Sequence, residues 1–288
     1  MIIVKISGGL GNQLFQYSFG RYLGLQLGAE VRYDIRTIMN RPGFTDRDYG
    51  LSAFDIVTEA ATRDEIRRLK RFTGRFSERA WRKAVEKMPS LSRSFLVESR
   101  KLPAPAWSDE CYYDGYWQYY RYAEKAGIRF REEVTKHIES GGCTRELAAR
   151  IRSTESGSIH IRRGDYISNP ANVKLYAECD AAYYERAAGF IEGQCNVQAW
   201  YVFSDDVEWA RDALPGKNCI FIEGNSAVTD MFLMSCCRHN IIANSTFSWW
   251  AAWLNPNPGK IVVAPQHWYN GRMNEMTREL IPEEWIRL

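Results

Sequence analysis

The 288-residue sequence lacks any run of about 18 apolar residues, so no membrane-spanning helix is expected. It opens on an apolar strand pattern, without the charged n-region and long apolar stretch of a secretory signal. Its seven cysteines are odd in number, irregularly spaced and free of any Cys-x-x-Cys pair. That pattern does not suggest a disulfide framework and, with the four histidines scattered, argues against a structural zinc site. Cys236 and Cys237 are adjacent in an apolar helical stretch and read as core filling. There is no low-complexity tract, and a net charge of +3 is too small for a protein devoted to nucleic acid. A reducing cytoplasm is the expected location.

What remains is an ordinary soluble composition, 45% hydrophobic and 25% charged, with length for about two domains. The charge is unevenly spread. Residues 63–101 hold 13 Lys/Arg against 5 Asp/Glu, a local +8 that leaves −5 for the rest of a chain whose total is +3. With Phe72, Phe76, Trp81 and Phe95 interleaved, this segment reads as one or two basic amphipathic helices. Such faces are usually just solvated; weak contact with the inner membrane surface or an anionic acceptor is the sharper alternative.

Along the chain, residues 2–6 form an apolar strand, followed by Ser7-Gly8-Gly9-Leu10-Gly11 and a helical stretch in which Phe15, Phe19, Tyr22 and Leu23 recur at helical spacing. Gly28 is a plausible stop before a strand over 30–33. This βαβ opening predicts a parallel sheet. The loop lacks the third glycine of a dinucleotide fingerprint and the Gly-Lys-Ser/Thr of a Walker loop, so it is only a weak pointer to a ligand. The middle third holds a Pro-rich link at 102–105 and an aromatic knot, Tyr112-Tyr113-Asp114-Gly115-Tyr116-Trp117-Gln118-Tyr119-Tyr120. Rings so clustered line sugar sites, and fill cores at least as often. Helical segments over about 123–153 lead to Ser153-Thr154-Glu155-Ser156-Gly157, which suggests domains over 1–155 and 156–288.

The last third alternates strands (158–161, 199–203, 219–222, 241–243, 261–264) with helices (181–191, 228–237, 249–254), predicting a doubly wound parallel sheet. Its polar clusters fall at the carboxyl ends of the strands, where such sheets bind ligands. After the first comes His160-Ile161-Arg162-Arg163-Gly164-Asp165-Tyr166. Strand alternation puts His160 and Arg162 on one face and Arg163 on the other. A guanidinium there can take a diphosphate bidentately, as a lysine cannot; equally, Arg162 or Arg163 could simply pair with Asp165. Asn244-Ser245-Thr246-Phe247-Ser248 precedes a helix, where Ser and Thr either cap it or, with the free N–H groups, seat a phosphate. Asp205 and Asp206 could accept from a guanine ring or a ribose hydroxyl, or cap the helix near Val207. No acid pair matches a metal-binding Asp-x-Asp, so no divalent ion is expected.

Three blocks now stand out: residues 8–17 (Gly8-Gly9-Leu10-Gly11-Asn12-Gln13-Leu14-Phe15-Gln16-Tyr17), 160–166 and 244–254. They strongly resemble the α-1,2-fucosyltransferase family, as do Asp114-Gly115-Tyr116-Trp117-Gln118 and Phe203-Ser204-Asp205-Asp206. The resemblance spans residues 8–254, with no recognised motif over 55–105. It implies an α/β fold of GT-B-like type, two Rossmann-like parallel-sheet domains facing a cleft. It further implies a GDP-fucose donor held mainly by the C-terminal domain, a β-galactose-terminated acceptor, inversion at the anomeric carbon and no cofactor or metal. By the same resemblance Arg162 grips the diphosphate, Gly11, Asn12 and Gln13 approach the fucosyl phosphate, and Asp205 and His160 address the nucleoside. Asn244, Ser245, Thr246 and Phe247 complete the expected donor site, and Asp114, Tyr116, Trp117 and Gln118 the acceptor side. Asp165 and Asp114 are the candidates for a catalytic base, though each could instead hold an arginine or a turn.

Two other readings stay open: a GDP-sugar transferase making a different linkage or using a different sugar, and a non-catalytic glycan- or nucleic-acid-binding module. The second has no use for a diphosphate seat. Lactose, blood-group-like precursors and lipid-linked glycans all supply terminal galactose.

Overall fold

The computed structural model describes residues 1–39, 49–54, 59–71, 77–99, 106–126, 132 and 142–288, and the chain divides into two compact units, Met1–Glu133 and Val134–Leu288. Phe72, Phe76 and the Pro-rich link at 102–105 lie outside the described residues.

The first unit carries a four-stranded sheet in the order β2-β1-β4-β3, with β1 Ile2–Lys5, β2 Val31–Asp34, β3 Phe95–Val97 and β4 Cys111–Asp114. All of its neighbouring strands run parallel. Between β1 and β2 runs the helix Leu10–Leu27, ended as expected by Gly28 at φ 60°, a left-handed turn whose N–H bonds back to the Gly24 carbonyl. The helices Arg63–Lys70 and Glu78–Lys87 are the basic pair. Thr62 caps the former in a reciprocal box with Glu65. Their inner residues, Ile66, Leu69, Trp81 and Val85, pack with Ile3, Phe95, Val97 and Tyr112.

In the second unit a six-stranded sheet runs in the order β10-β9-β8-β5-β6-β7. Its strands are β5 Ser156–Ile161, β6 Ala199–Ser204, β7 Cys219–Ile222, β8 His239–Ile241, β9 Val262–Ala264 and β10 Ile286–Arg287, again all parallel. From β5 the chain winds outward to β6 and β7, then returns to place β8 on the other side of β5. The reversal makes the carboxyl ends of β5 and β8 the topological switch point, where open α/β sheets bind their ligands.

Two sequence expectations move. The division falls well before 155, because the helix Gly142–Arg152 belongs to the second unit, with Arg152 over the Phe232 ring at 5.4 Å. Ser156 and Gly157 are not a linker but the start of β5. Strand β8 begins at His239 rather than 241. The intervening Asn240 looks too polar for a buried strand, yet its amide donates to Ser158 Oγ (2.7 Å) and the Met234 carbonyl (2.8 Å) and accepts from Asn255 (2.7 Å).

Candidate active site

At the end of β5, Arg162 is one-third exposed. Its guanidinium is bracketed by carboxylates, Asp165 Oδ1 at 2.5 Å and Asp205 Oδ2 at 2.9 Å, and lies 5.7 Å from the Tyr166 ring centre. That cage holds the planar group in one orientation. Asp205 is doubly used, since its Oδ1 accepts from the Arg163 backbone N–H at 2.8 Å. Arg163 turns elsewhere, over the Trp209 ring at 4.0 Å and beside Asp206 and Glu178, both at 3.3 Å. Asp206 also caps the helix Val207–Ala213 through the Trp209 N–H. The pair of acids therefore serves the arginines and a helix start, and Asp165 is an arginine partner, as its alternative reading allowed.

His160 is buried, with its ring 5.4 Å from that of Phe247. This contact ties the β5 end to the loop after β8. Burial, with the Arg162 charge adding to it, pushes the His160 pKa down to about 3, so the ring is neutral at pH 7. Its Nδ1 is buried without a hydrogen-bond partner among the described residues. Such an orphaned nitrogen suits a ligand group better than a packing role.

Beyond β8, Ser245 caps the helix Thr246–Leu254 by accepting from the Phe247 N–H at 3.3 Å. Trp249 and Trp250 anchor this helix with no exposed surface, and burying each indole contributes about 3 kcal/mol. Thr246 and Phe247 stay half-buried at its start. Asn244 is structural: its amide donates to the Ala177 (2.7 Å) and Trp268 (3.0 Å) carbonyls, and its own carbonyl accepts from Tyr166 Oη (3.1 Å). A cavity of about 370 Å³ opens beside Arg162 and Arg163, walled by Tyr166, Ile167, Val173 and Tyr176.

In the first unit the carboxyl edge is braced internally. Asn12 Oδ1 accepts from Gln118 Nε2 at 2.8 Å, joining the glycine loop to the end of the aromatic knot. Gln13 is buried, donating to the Gly8 carbonyl and accepting from the Gly50 N–H, both at 3.0 Å. Gly11 is buried beside it. Asp114 lies between Lys5 (3.2 Å) and Arg82 (3.0 Å), so it too holds cations. Tyr116 is 40% exposed and open to a ligand. Trp117 is buried, stacked on Phe19 at 4.3 Å and 12°.

Sequence reasoning missed the two residues that shape this turn. Gln16 is buried and bonds the Ser7 N–H (2.8 Å), Ser7 Oγ (3.2 Å) and the Gly115 carbonyl (2.9 Å). Glu98 accepts from the Tyr116 and Trp117 N–H groups at 2.6 and 3.1 Å. A Cβ at Gly115 would lie 2.4 Å from Glu98 Cβ, which is why glycine stands there. Gln16 sits within a recognised motif; Glu98 carried no sequence signal.

Glu155, Cys195 and His239 form a cluster spaced for a metal, at the amino edge of the second sheet. His239 Nδ1 accepts from the Ile261 N–H at 3.0 Å, so Nε2 carries the proton that points at Glu155, 2.8 Å away. That leaves the imidazole no lone pair for an ion, and the donor set does not fit one.

Each unit is thus a parallel α/β sheet of Rossmann-like type, and the second sets an arginine and a capped helix start at its topological switch point. The chain belongs to glycosyl transferase family 11, whose profile matches residues 90–288. It is 33% identical to an alpha-1,2-colitosyltransferase of Escherichia coli over 302 residues, covering 100% of this chain and 99% of that protein. It is 45% identical over 135 residues to the Escherichia coli O-antigen biosynthesis glycosyltransferase WbnK, covering 46% of this chain and 44% of that one. With the Mus musculus galactoside 2-alpha-L-fucosyltransferase Sec1 it shares 31% identity over 101 residues, 33% of this chain and 27% of that protein.

Proposed function

We propose that this protein is an inverting α-1,2-fucosyltransferase, moving L-fucose from GDP-fucose to the 2-hydroxyl of a terminal β-galactose. The observation that carries the proposal is Arg162, fixed at the switch point between two carboxylates, with the helix start of Thr246–Leu254 on the neighbouring strand end. The galactose O2 attacks the fucose anomeric carbon as the bond from that carbon to the β-phosphate oxygen breaks. GDP leaves with the bonding pair, and the hydroxyl proton passes to water or a carboxylate. Arg162 and the N–H groups behind Ser245 stabilise charge growing on the departing diphosphate, an interaction strongest in the transition state. With a guanidinium and a helix terminus in that role, the reaction needs no divalent ion. The His160 Nδ1 is free to bond the nucleoside.

The acceptor is a galactose-terminated oligosaccharide or lipid-linked glycan, a reading the Sec1 likeness supports for galactose and the WbnK likeness for a polysaccharide repeat unit. The full-length likeness to a colitosyltransferase favours a second donor, colitose, which is fucose without its 3-hydroxyl. Among the described residues no helix is long and apolar enough to cross a membrane.

The test is GDP release from GDP-fucose with lactose or N-acetyllactosamine in EDTA, with NMR of the product. Fucose α-linked at galactose O2 is the expected result. Release without transfer would redirect the acceptor, faster turnover of GDP-colitose would establish the second donor, and no GDP binding would overturn the proposal.

A further inference from the structure

We infer that the C-terminal tip of the helix Glu78–Lys87 docks on the surface of an anionic lipid bilayer. Trp81 and Val85 face the core of the first unit. Arg79, Lys83 and Lys87 follow one another at i, i+4 and i+8, are all exposed, and have no ion pair among the described residues. Like charges four apart destabilise a helix in isolation, so this stripe works against the element that carries it. An anionic surface would turn that cost into attraction.

The second observation is apolar. Where the helix ends, Met88 and Leu91 are 56% and 46% exposed, two of the few exposed large hydrophobic side chains among the described residues. They flank the short turn Pro89–Leu91, with exposed Arg93 just beyond. Lys87, Met88, Leu91 and Arg93 thus share one tip, cations beside aliphatic side chains, as interfacial segments have. Helical rise sets Lys83 about 6 Å and Arg79 about 12 Å behind Lys87. At a Debye length of about 8–10 Å, Lys83 still feels the surface and Arg79 only weakly. Nucleic acid fits less well, because Met88 and Leu91 offer no ring on which a base could stack.

Sedimentation of the full chain with phosphatidylcholine vesicles, with and without phosphatidylglycerol, tests the inference. Binding is expected only with phosphatidylglycerol, and should vanish between about 0.1 M and about 1 M salt. Lys83→Ala and Lys87→Ala should each weaken it about fivefold and flatten its salt dependence. The double variant Met88→Ser/Leu91→Ser should weaken it about tenfold at unchanged salt dependence. Each variant should unfold in urea at close to the parental midpoint, which shows that it folds. Indifference to phosphatidylglycerol, or unaltered binding by the Met88/Leu91 variant, would overturn the inference. So would displacement from vesicles by a single-stranded oligonucleotide, which would reassign the patch to nucleic acid. None of these outcomes depends on the fucosyl donor or acceptor.

Discussion

Both sheets are parallel and both carry family motifs at their carboxyl edges, yet the two edges dispose their central polar groups differently. In the first unit neutral amides, Gln13 and Gln16, bond backbone groups from inside the fold, the central carboxylate, Asp114, is buried against Lys5 and Arg82, and Trp117 is stacked into the core. In the second unit the central charge, Arg162, remains open to solvent between Asp165 and Asp205. Amide bracing sets the shape of a loop and is blind to charge. A caged guanidinium stores a positive group in one orientation and can exchange carboxylate for phosphate. On the proposed reading the first edge presents a surface and the second takes an anion.

The largest effect that would break this contrast is at Arg162. Arg162→Lys keeps the charge and loses the fork, so kcat should fall about 100- to 1000-fold with the thermal midpoint little changed. Near-normal turnover would remove the diphosphate role. Next comes Gln16→Leu, which strands the Ser7 N–H and the Gly115 carbonyl in the core; urea unfolding should show a loss of about 2–4 kcal/mol. If the variant were as stable as its parent, the first edge would not be amide-braced.

A smaller effect tests the electrostatics of the second edge through pH. His160 is held neutral in the fold, its pKa depressed to about 3, and in the unfolded chain it titrates near 6.5. Its contribution is whole above the unfolded value and drains away as pH falls from about 6.5 towards 3. Between pH 7 and 5 the parent should lose about 2 kcal/mol more than His160→Gln in urea unfolding. Equal losses would mean that the ring is solvated. Smallest is Trp117→Phe, which keeps a ring on Phe19 and removes an Nε1 with no partner among the described residues. Stability should change by less than about 1 kcal/mol. A rise in acceptor KM at unchanged donor KM would show that the indole serves the sugar.

Much of this second edge was legible in advance. Arg162, Ser245 and Asp206 stand where strand-to-helix alternation predicted, because in a doubly wound sheet every strand end is a loop facing the same way. The first edge was less so. Strand β4 has all four residues buried, so it shows no period of two. Glu98 lies well away in sequence from the turn it holds, and nothing local marks such a partner.

By itself the sequence determined the parallel α/β class, the glycine stop at Gly28 and the polar clusters at the strand ends, because these follow from periodicity and local backbone preference. Only the tertiary structure decided which side of each motif residue is spent. It gave both carboxylates beside Arg162 to the guanidinium, turned Gln13 and Trp117 inward, and left Met88 and Leu91 outside. The physical reason is that pairing and burial depend on neighbours distant in the chain, which no window of residues contains.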